Sequence, residues 1–519
     1  MFMKRTSVEA AVVLSKRVKF VLIGLAVILI VGGVALAMSI QGDKQNNQTT
    51  ENVNGEAANH IEKQVDAIDA EQVQLSPEKG FEGFEGWGTS LAWWGHAIGG
   101  WENKEAAEEI MDLVFSREKG LGLNIVRYNI GGGENPLYNT LRPGGDVPGF
   151  WSESGEWDWT ADANQRAVLL GGIERGVNIA EAFSNSAPYW MTISGSVTGA
   201  EDGGNNLKEE HYETFAHYLT EVVKYYRDEY KVVFRSLNPL NEPSSNWWIK
   251  GNIQEGMHFD IDKQALMLRL TAQSLKEKGI TETVVSAPDD NSIDETIDAL
   301  EQYGEETLSI LGQVNVHTYN GSKMQELKEY ADAHNLHLWM SEYGTGGSAD
   351  HSHEDMTSVM ELAERIMIDL RVLQPKAWVY WQAVEDEGAN NNWGFIHANF
   401  NGEEQFFMNK QFYAMQQFTK YIEPGAFIAP TTDGTSIYAY DAAKKQLMIV
   451  VRNPSDEARS LNYELAPYQA SSSSAEVFRT SAEENFVQLE SIELNGQSVT
   501  IEVSPASITT IVIQDVEEK

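Results

Sequence analysis

The chain has 519 residues, 42% of them hydrophobic, 22% charged and 10% aromatic, with 43 Gly, 14 Pro and no Cys. This excludes a disordered polypeptide, a collagen-like fibre, a multi-pass membrane protein and a disulfide-stapled mini-domain; lacking Cys, the chain has no thiolate metal site, iron–sulfur cluster or cysteine nucleophile. A formal net charge of −39 repels phosphate backbones and anionic lipid, so nucleic acid is not an expected partner.

Residues 1–40 read as an export signal or signal anchor. Lys4, Arg5, Lys16, Arg17 and Lys19 precede an uncharged apolar run from Phe20 to Ile40, with small residues at Ala35-Leu36-Ala37. The run is long for a cleaved signal and just long enough to cross a bilayer, so this segment is expected to be removed or to sit in the membrane. Either way its positive flank stays in the cytosol and the rest is sent out, secreted or membrane-anchored. Residues 41–72 read as a polar tether, with Gln41 to about Asn59 rich in Asn, Gln, Thr and Glu.

Residues 73–83 read as a strand lent to a C-terminal sandwich, and 84–421 as the catalytic body. There, short apolar runs alternate with amphipathic segments. The predicted strands are Gly86 to Trp94, Asn124 to Ile130, Asn178 to Phe183, Ser236 to Asn241, Val284 to Pro288, Gln313 to His317, Leu338 to Glu342 and Ala377 to Gln382. Helical patterns run over Leu207 to Arg227, Lys263 to Lys278, Ser322 to Asn335 and Glu354 to Val372. Such βα units in succession predict a closed parallel (β/α)8 TIM barrel. A doubly wound open sheet is the rival, but no glycine-rich phosphate turn follows the first strand. From 422 to 519 short strands (Ser436 to Tyr440, Leu447 to Arg452, Glu476 to Thr480, Val499 to Val503, Ile508 to Ile513) and the hairpin signal Asn495-Gly496 predict a small antiparallel β-sandwich. The fold class is therefore α/β, a barrel with a side sandwich.

Polar residues at the C-terminal ends of barrel strands point into the mouth, where such barrels place their chemistry. Those ends are Arg127, Asn185, Asn241 with Glu242, Asp289, His317 with Tyr319, Glu342 and Trp381. Glu242 and Glu342 end the fourth and seventh strands, nearly opposite each other. Paired carboxylates among aromatic side chains suit glycoside hydrolysis, one protonating the leaving oxygen while the other attacks or assists at the anomeric carbon. Trp93, Trp94, Trp247, Trp248, Trp381 and Trp393 offer flat faces for sugar rings.

Asn238-Pro239-Leu240-Asn241-Glu242-Pro243 resembles the acid/base motif of the retaining (β/α)8 glycosidases, and Trp339-Met340-Ser341-Glu342-Tyr343-Gly344 their nucleophile motif. The segments Phe84 to Trp94, Glu181 to Ser186, Gln254 to Phe259 and Pro505 to Thr510 are similar to glycoside hydrolase family 30, especially its endo-β-1,6-galactanase branch. The resemblance covers about Val73 to the C-terminus. It implies Glu242 as acid/base, Glu342 as nucleophile, Asn241 on the 2-hydroxyl, Arg127 orienting Glu342 and keeping it ionised, and Tyr319 or His317 bonded to Glu342. Glu255 and Asp289 are candidates for sugar hydroxyls. Trp93, Trp94, Asn185 and Asp289 are candidates for sensing the axial 4-hydroxyl of galactose.

The implied substrate is β-1,6-galactan, such as arabinogalactan side chains. The alternatives are exo-release of galactobiose, a β-1,6-glucanase or glucosidase, or a non-catalytic cell-surface polysaccharide-binding protein; the last predicts loss of a catalytic carboxylate, and both are present. No cofactor is expected, and a monomer is. No metal is expected either. His351-Ser352-His353 puts its imidazoles on opposite sides of an extended chain, and Asp289-Asp290-Asn291 lacks the glycine and terminal Glu of a calcium loop.

Overall fold

A computed structural model describes residues 70–519 apart from 134, 138–139, 349–350 and 390. The chain divides into Met1–Lys63 and Gln64–Lys519, and the described residues lie in the second unit. The basic and apolar segments of 1–40 and nearly all of the polar tether fall outside them. Among the described residues no helix is long and apolar enough to cross a membrane.

Eight strands close a parallel barrel: Gly86–Ser90, Ile125–Asn129, Ile179–Phe183, Ser236–Asn238, Val284–Ser292, Leu311–Asn320, His337–Tyr343 and Ala377–Gln382. The last pairs with the first from Gly86 opposite Ala377. Helices cover these strands, so they are hidden on both faces and read as unbroken apolar runs rather than alternating ones. The helix Tyr212–Tyr225 shows how the shell is held on: Phe215, Leu219, Val222 and Val223 recur at helical spacing and are all buried.

The first strand is shorter than its apolar run. Pairing shifts between Thr89 and Ser90, the chain leaves the sheet, and Ala92–Gly99 is helical. A short apolar run does not separate strand from buried helix by periodicity. This alters where Trp93 and Trp94 point.

The C-terminal sheets are antiparallel except at one edge. One sheet runs in the order Phe427–Pro430, Ser436–Asp441, Gln446–Asn453, Ser507–Ile513, Ser474–Thr480 and Val487–Gln488. Facing it, Arg459–Glu464 lies between Ser498–Val503 and Glu71–Gln74, the latter paired parallel. Val73, Leu461, Tyr463, Ile449 and Ile511 share the core between the two. The helix Lys410–Thr419 joins this layer to the barrel. Gln417 on it donates to Thr480 Oγ1 at 2.8 Å and accepts from Thr510 Oγ1 at 2.6 Å.

Candidate active site

At the C-terminal mouth of the barrel lies a cavity of about 450 Å³, lined among others by Trp93, Asn185, Asn241, Glu242, Tyr319, Glu342, Trp381 and Trp393. The two carboxylates come from different strands yet meet there. An oxygen of Glu242, one of Glu342 and a ring nitrogen of His317 all lie within 4.8 Å of one another. Glu242 stands just past a short strand with φ +46°, a left-handed conformation unfavourable for a side-chain-bearing residue and stored where the surroundings enforce it. Its amide donates to Asp289 O at 2.9 Å, and its carbonyl accepts Trp248 Nε1 at 3.1 Å.

Each carboxylate is held by different partners. Glu242 Oε1 accepts from Asn291 Nδ2 at 2.7 Å and lies 3.1 Å from His317 Nδ1. Glu342 accepts from Tyr319 Oη at 3.1 Å on one oxygen and from Arg127 Nη1 at 3.4 Å on the other. His317 Nε2 lies 3.2 Å from Asp289. With carboxylates at both ring nitrogens, its pKa stands well above the ordinary histidine value despite burial, chiefly through Glu342 and Asp289.

Beneath this floor Arg127 is fully buried and serves three carboxylates. Its Nε donates to Glu181 at 2.9 Å, its Nη2 to Asp289, and only Nη1 reaches Glu342. Glu181 in turn accepts from Ser236, Ser286, Gln313 and Asn315. Arg127 is thus divided, and Glu342 holds the longest share. Burial prevails there: it pushes the Glu342 carboxyl up to about 7, while His317 and Arg127 pull it down and Glu242 pushes it further up. The expected contact of Arg127 with Glu342 is present, and Arg127 is shared with Glu181 and Asp289.

Of the residues picked out in the sequence, Trp93, Asn185, Asn241, Tyr319 and Trp381 line the cavity beside the two glutamates. Asn241 Oδ1 is buried and has no hydrogen-bond partner among the described residues, an acceptor left for a ligand hydroxyl. Arg127, His317 and Asp289 do not line it. Asp289 is fully buried, bound by Arg127, Ser341 and His317, and cannot reach a sugar. Trp94 is also corrected: it stacks on Phe115 in the helical shell and donates to Ser90 O at 2.8 Å.

Glu255 lines the cavity but is almost wholly buried. It accepts from Gly132 N and Asn129 Nδ2, and burial pushes it up to about 8.

Sequence reading missed Glu181, Asn291, Arg142 and Glu385. Glu181 was accessible through strand register, because it pairs directly with Arg127. Arg142 lies 4.4 Å over the Trp93 ring and is paired to Glu385, both at the cavity wall. It comes from a long connection without periodicity, so nothing in the sequence announced it.

Residues 70–307 match the family model described as O-Glycosyl hydrolase family 30. An endo-β-1,6-galactanase of Hypocrea rufa is 31% identical over 405 residues, covering 73% of this chain and 80% of that protein. An exo-β-1,6-galactobiohydrolase of Bifidobacterium longum subsp. longum is 26% identical over 448 residues, covering 64% of this chain but 29% of that longer protein. A conserved exported protein from Bacteroides fragilis shares the fold, with TM-score 0.72 and 21% identity over 85% of this chain and all of that one.

Proposed function

The chain belongs to glycoside hydrolase family 30 and is an O-glycosyl hydrolase, and from that premise we propose that it is an exported, retaining endo-β-1,6-galactanase. The mechanism rests on the approach of one oxygen of Glu242 and one of Glu342 within 4.8 Å at an aromatic-lined cavity. Retaining pairs stand roughly 5–5.5 Å apart, whereas inverting pairs leave room for a water at about 6.5–9.5 Å.

Glu342 attacks the anomeric carbon as the C1–O6 bond breaks, and Glu242 gives its proton to the departing oxygen. Water then attacks the glycosyl–Glu342 ester, Glu242 takes its proton, and the β-hemiacetal leaves. Asn241 bonds the 2-hydroxyl with its free amide oxygen. Tyr319, His317 and Arg127 act through the two carboxylates. Trp93 and Trp381, edge to face at 5.1 Å, form the apolar wall.

The likeness to the galactanase supports galactan, and the likeness to the galactobiohydrolase favours exo-release of galactobiose as the second reading. The basic flank and apolar run of 1–40 support export.

Glu342→Ala abolishes turnover on every substrate. Glu242→Ala loses the polymer but keeps aryl galactosides with good leaving groups, and azide then yields β-galactosyl azide. Equal activity of Glu242→Ala on β-1,6-galactan overturns the assignment. Wild-type cleavage of β-1,6-glucan at a comparable kcat/KM overturns the substrate. A ladder of oligomers marks endo action; galactobiose alone marks the second reading.

A further inference from the structure

Outside the catalytic floor, His353, Glu387 and His397 form a cluster that the hydrolytic reaction does not use. His353 lies between the seventh barrel strand and the helix Met356–Ile368; Glu387 and His397 follow the eighth strand and flank Trp393. Their donor atoms all lie within 4.8 Å of one another.

The proton position on His353 follows from the hydrogen bonds around it. Asn409 Nδ2 donates to Gly394 O at 2.7 Å, so its Oδ1 is the atom 2.6 Å from His353 Nδ1. A carbonyl oxygen only accepts, so Nδ1 carries the proton and His353 Nε2 keeps a lone pair. That lone pair lies 3.5 Å from the Glu387 carboxylate. His397 Nδ1 lies 2.9 Å from the other oxygen of the same carboxylate. His397 is 2% exposed, and its Nε2 has no hydrogen-bond partner among the described residues. A lone pair facing a carboxylate repels unless a cation sits between them.

We propose that His353, Glu387 and His397 bind one zinc-like divalent transition ion, with water at the fourth position. Zinc holds imidazole nitrogen and carboxylate oxygen at about 2.0–2.1 Å, which sets neighbouring tetrahedral donors roughly 3.3 Å apart. The spacings of 2.9 and 3.5 Å, one to each oxygen of Glu387, bracket that value, so the carboxylate can reach the ion with both oxygens. Two neutral imidazoles and one carboxylate favour such an ion over calcium or magnesium, which take oxygen. Asn409 supplies the outer hydrogen bond that fixes the ring of a ligating histidine. His351, the neighbour in sequence, takes no part; the second imidazole comes from another loop.

The bound ion ties the segment leaving the Glu342 strand to the loop that presents Trp393 and Glu385 to the cavity. Its role is to hold that wall, not to react with substrate. The rival is a second proton on His353 in place of the metal.

Full-length protein is stripped with chelator, dialysed and titrated with Zn²⁺ alone, following bound metal per chain and thermal unfolding. The wild type is expected to retain about one ion per chain and to gain in Tm. His353→Ala and Glu387→Gln are expected to bind at least tenfold more weakly and to gain nothing. Both residues are only part-buried, and the Tm of each metal-free variant shows whether it folds. Glu387→Gln keeps the shape of the side chain should His353→Ala unfold. If the wild type retains no zinc, or retains it no better than the two variants, a proton holds the cluster and the proposal fails.

Discussion

Arg127 satisfies Glu181 and Asp289 before it reaches Glu342, so the charge state of the nucleophile candidate depends on His317 as well. A nucleophilic Glu342 attacks only when ionised, so the proposed mechanism predicts that activity falls as pH drops through its pKa. Burial has raised that pKa to about 7, placing the acidic limb of kcat/KM above the ordinary glutamate range. His317 pulls it down, so His317→Gln is expected to move the limb to higher pH while lowering kcat. A limb that stays in place after the substitution contradicts a positioning role for His317. The motif residues Asn241, Glu242 and Glu342 were legible in the sequence because strand ends in such a barrel face the mouth. Asp289 was misread for a geometric reason: it follows the apolar run Val284 to Pro288, but the strand continues through it to Ser292 and its side chain is buried against Arg127.

Among elements, the short helix Ala92–Gly99 separates two neighbouring tryptophans. Adjacent residues on a helix point about 100° apart, so only one of the pair faces the cavity. Trp93 does, under Arg142 and beside Trp381; Trp94 faces the shell. Trp93 is also buried, packed with Val147, Phe183 and Trp381, so the conservative Trp93→Phe is expected to lower kcat/KM on galactan while keeping most of the packing and most of the Tm. Trp94→Ala is expected to cost about 3–5 kcal/mol of stability by the cavity it opens, measured by denaturant unfolding. The reverse pattern contradicts the placement. The long parallel strands were legible as unbroken apolar runs and the amphipathic helices by their helical periodicity. The connection from Val384 to Met408, with its small sheet of Val384–Asp386, Ile396–Ala398 and Phe406–Met408, was not. Its strands are three residues each, too short for periodicity, yet they carry Glu385 and lead to Trp393.

Over the whole molecule, several buried acids share one direction of shift. Burial pushes Glu255 up to about 8 and Asp290 up to about 7, as it does Glu342. The folded state thus holds protons that the unfolded chain releases near pH 4–5, and stability falls as pH rises from there to about 8. Raised His317 acts in the same sense. Asp289 and Asp355, held near 2, lose their contribution only below about pH 4. At fixed ionic strength, Tm is expected to be several degrees lower at pH 8 than at pH 5; a higher Tm at pH 8 contradicts these assignments. Barrel and sandwich were both legible from the order of apolar runs, while Arg459–Glu464, the central strand of the facing sheet, was hidden by its polar composition and Tyr468–Ala470 by its three-residue length. The proposed double displacement at Glu342, assisted by Glu242, is read out by the anomer released first. Proton NMR during the first turnovers on β-1,6-galacto-oligosaccharides should show the β-anomer ahead of mutarotation; α-anomer appearing first would contradict the mechanism.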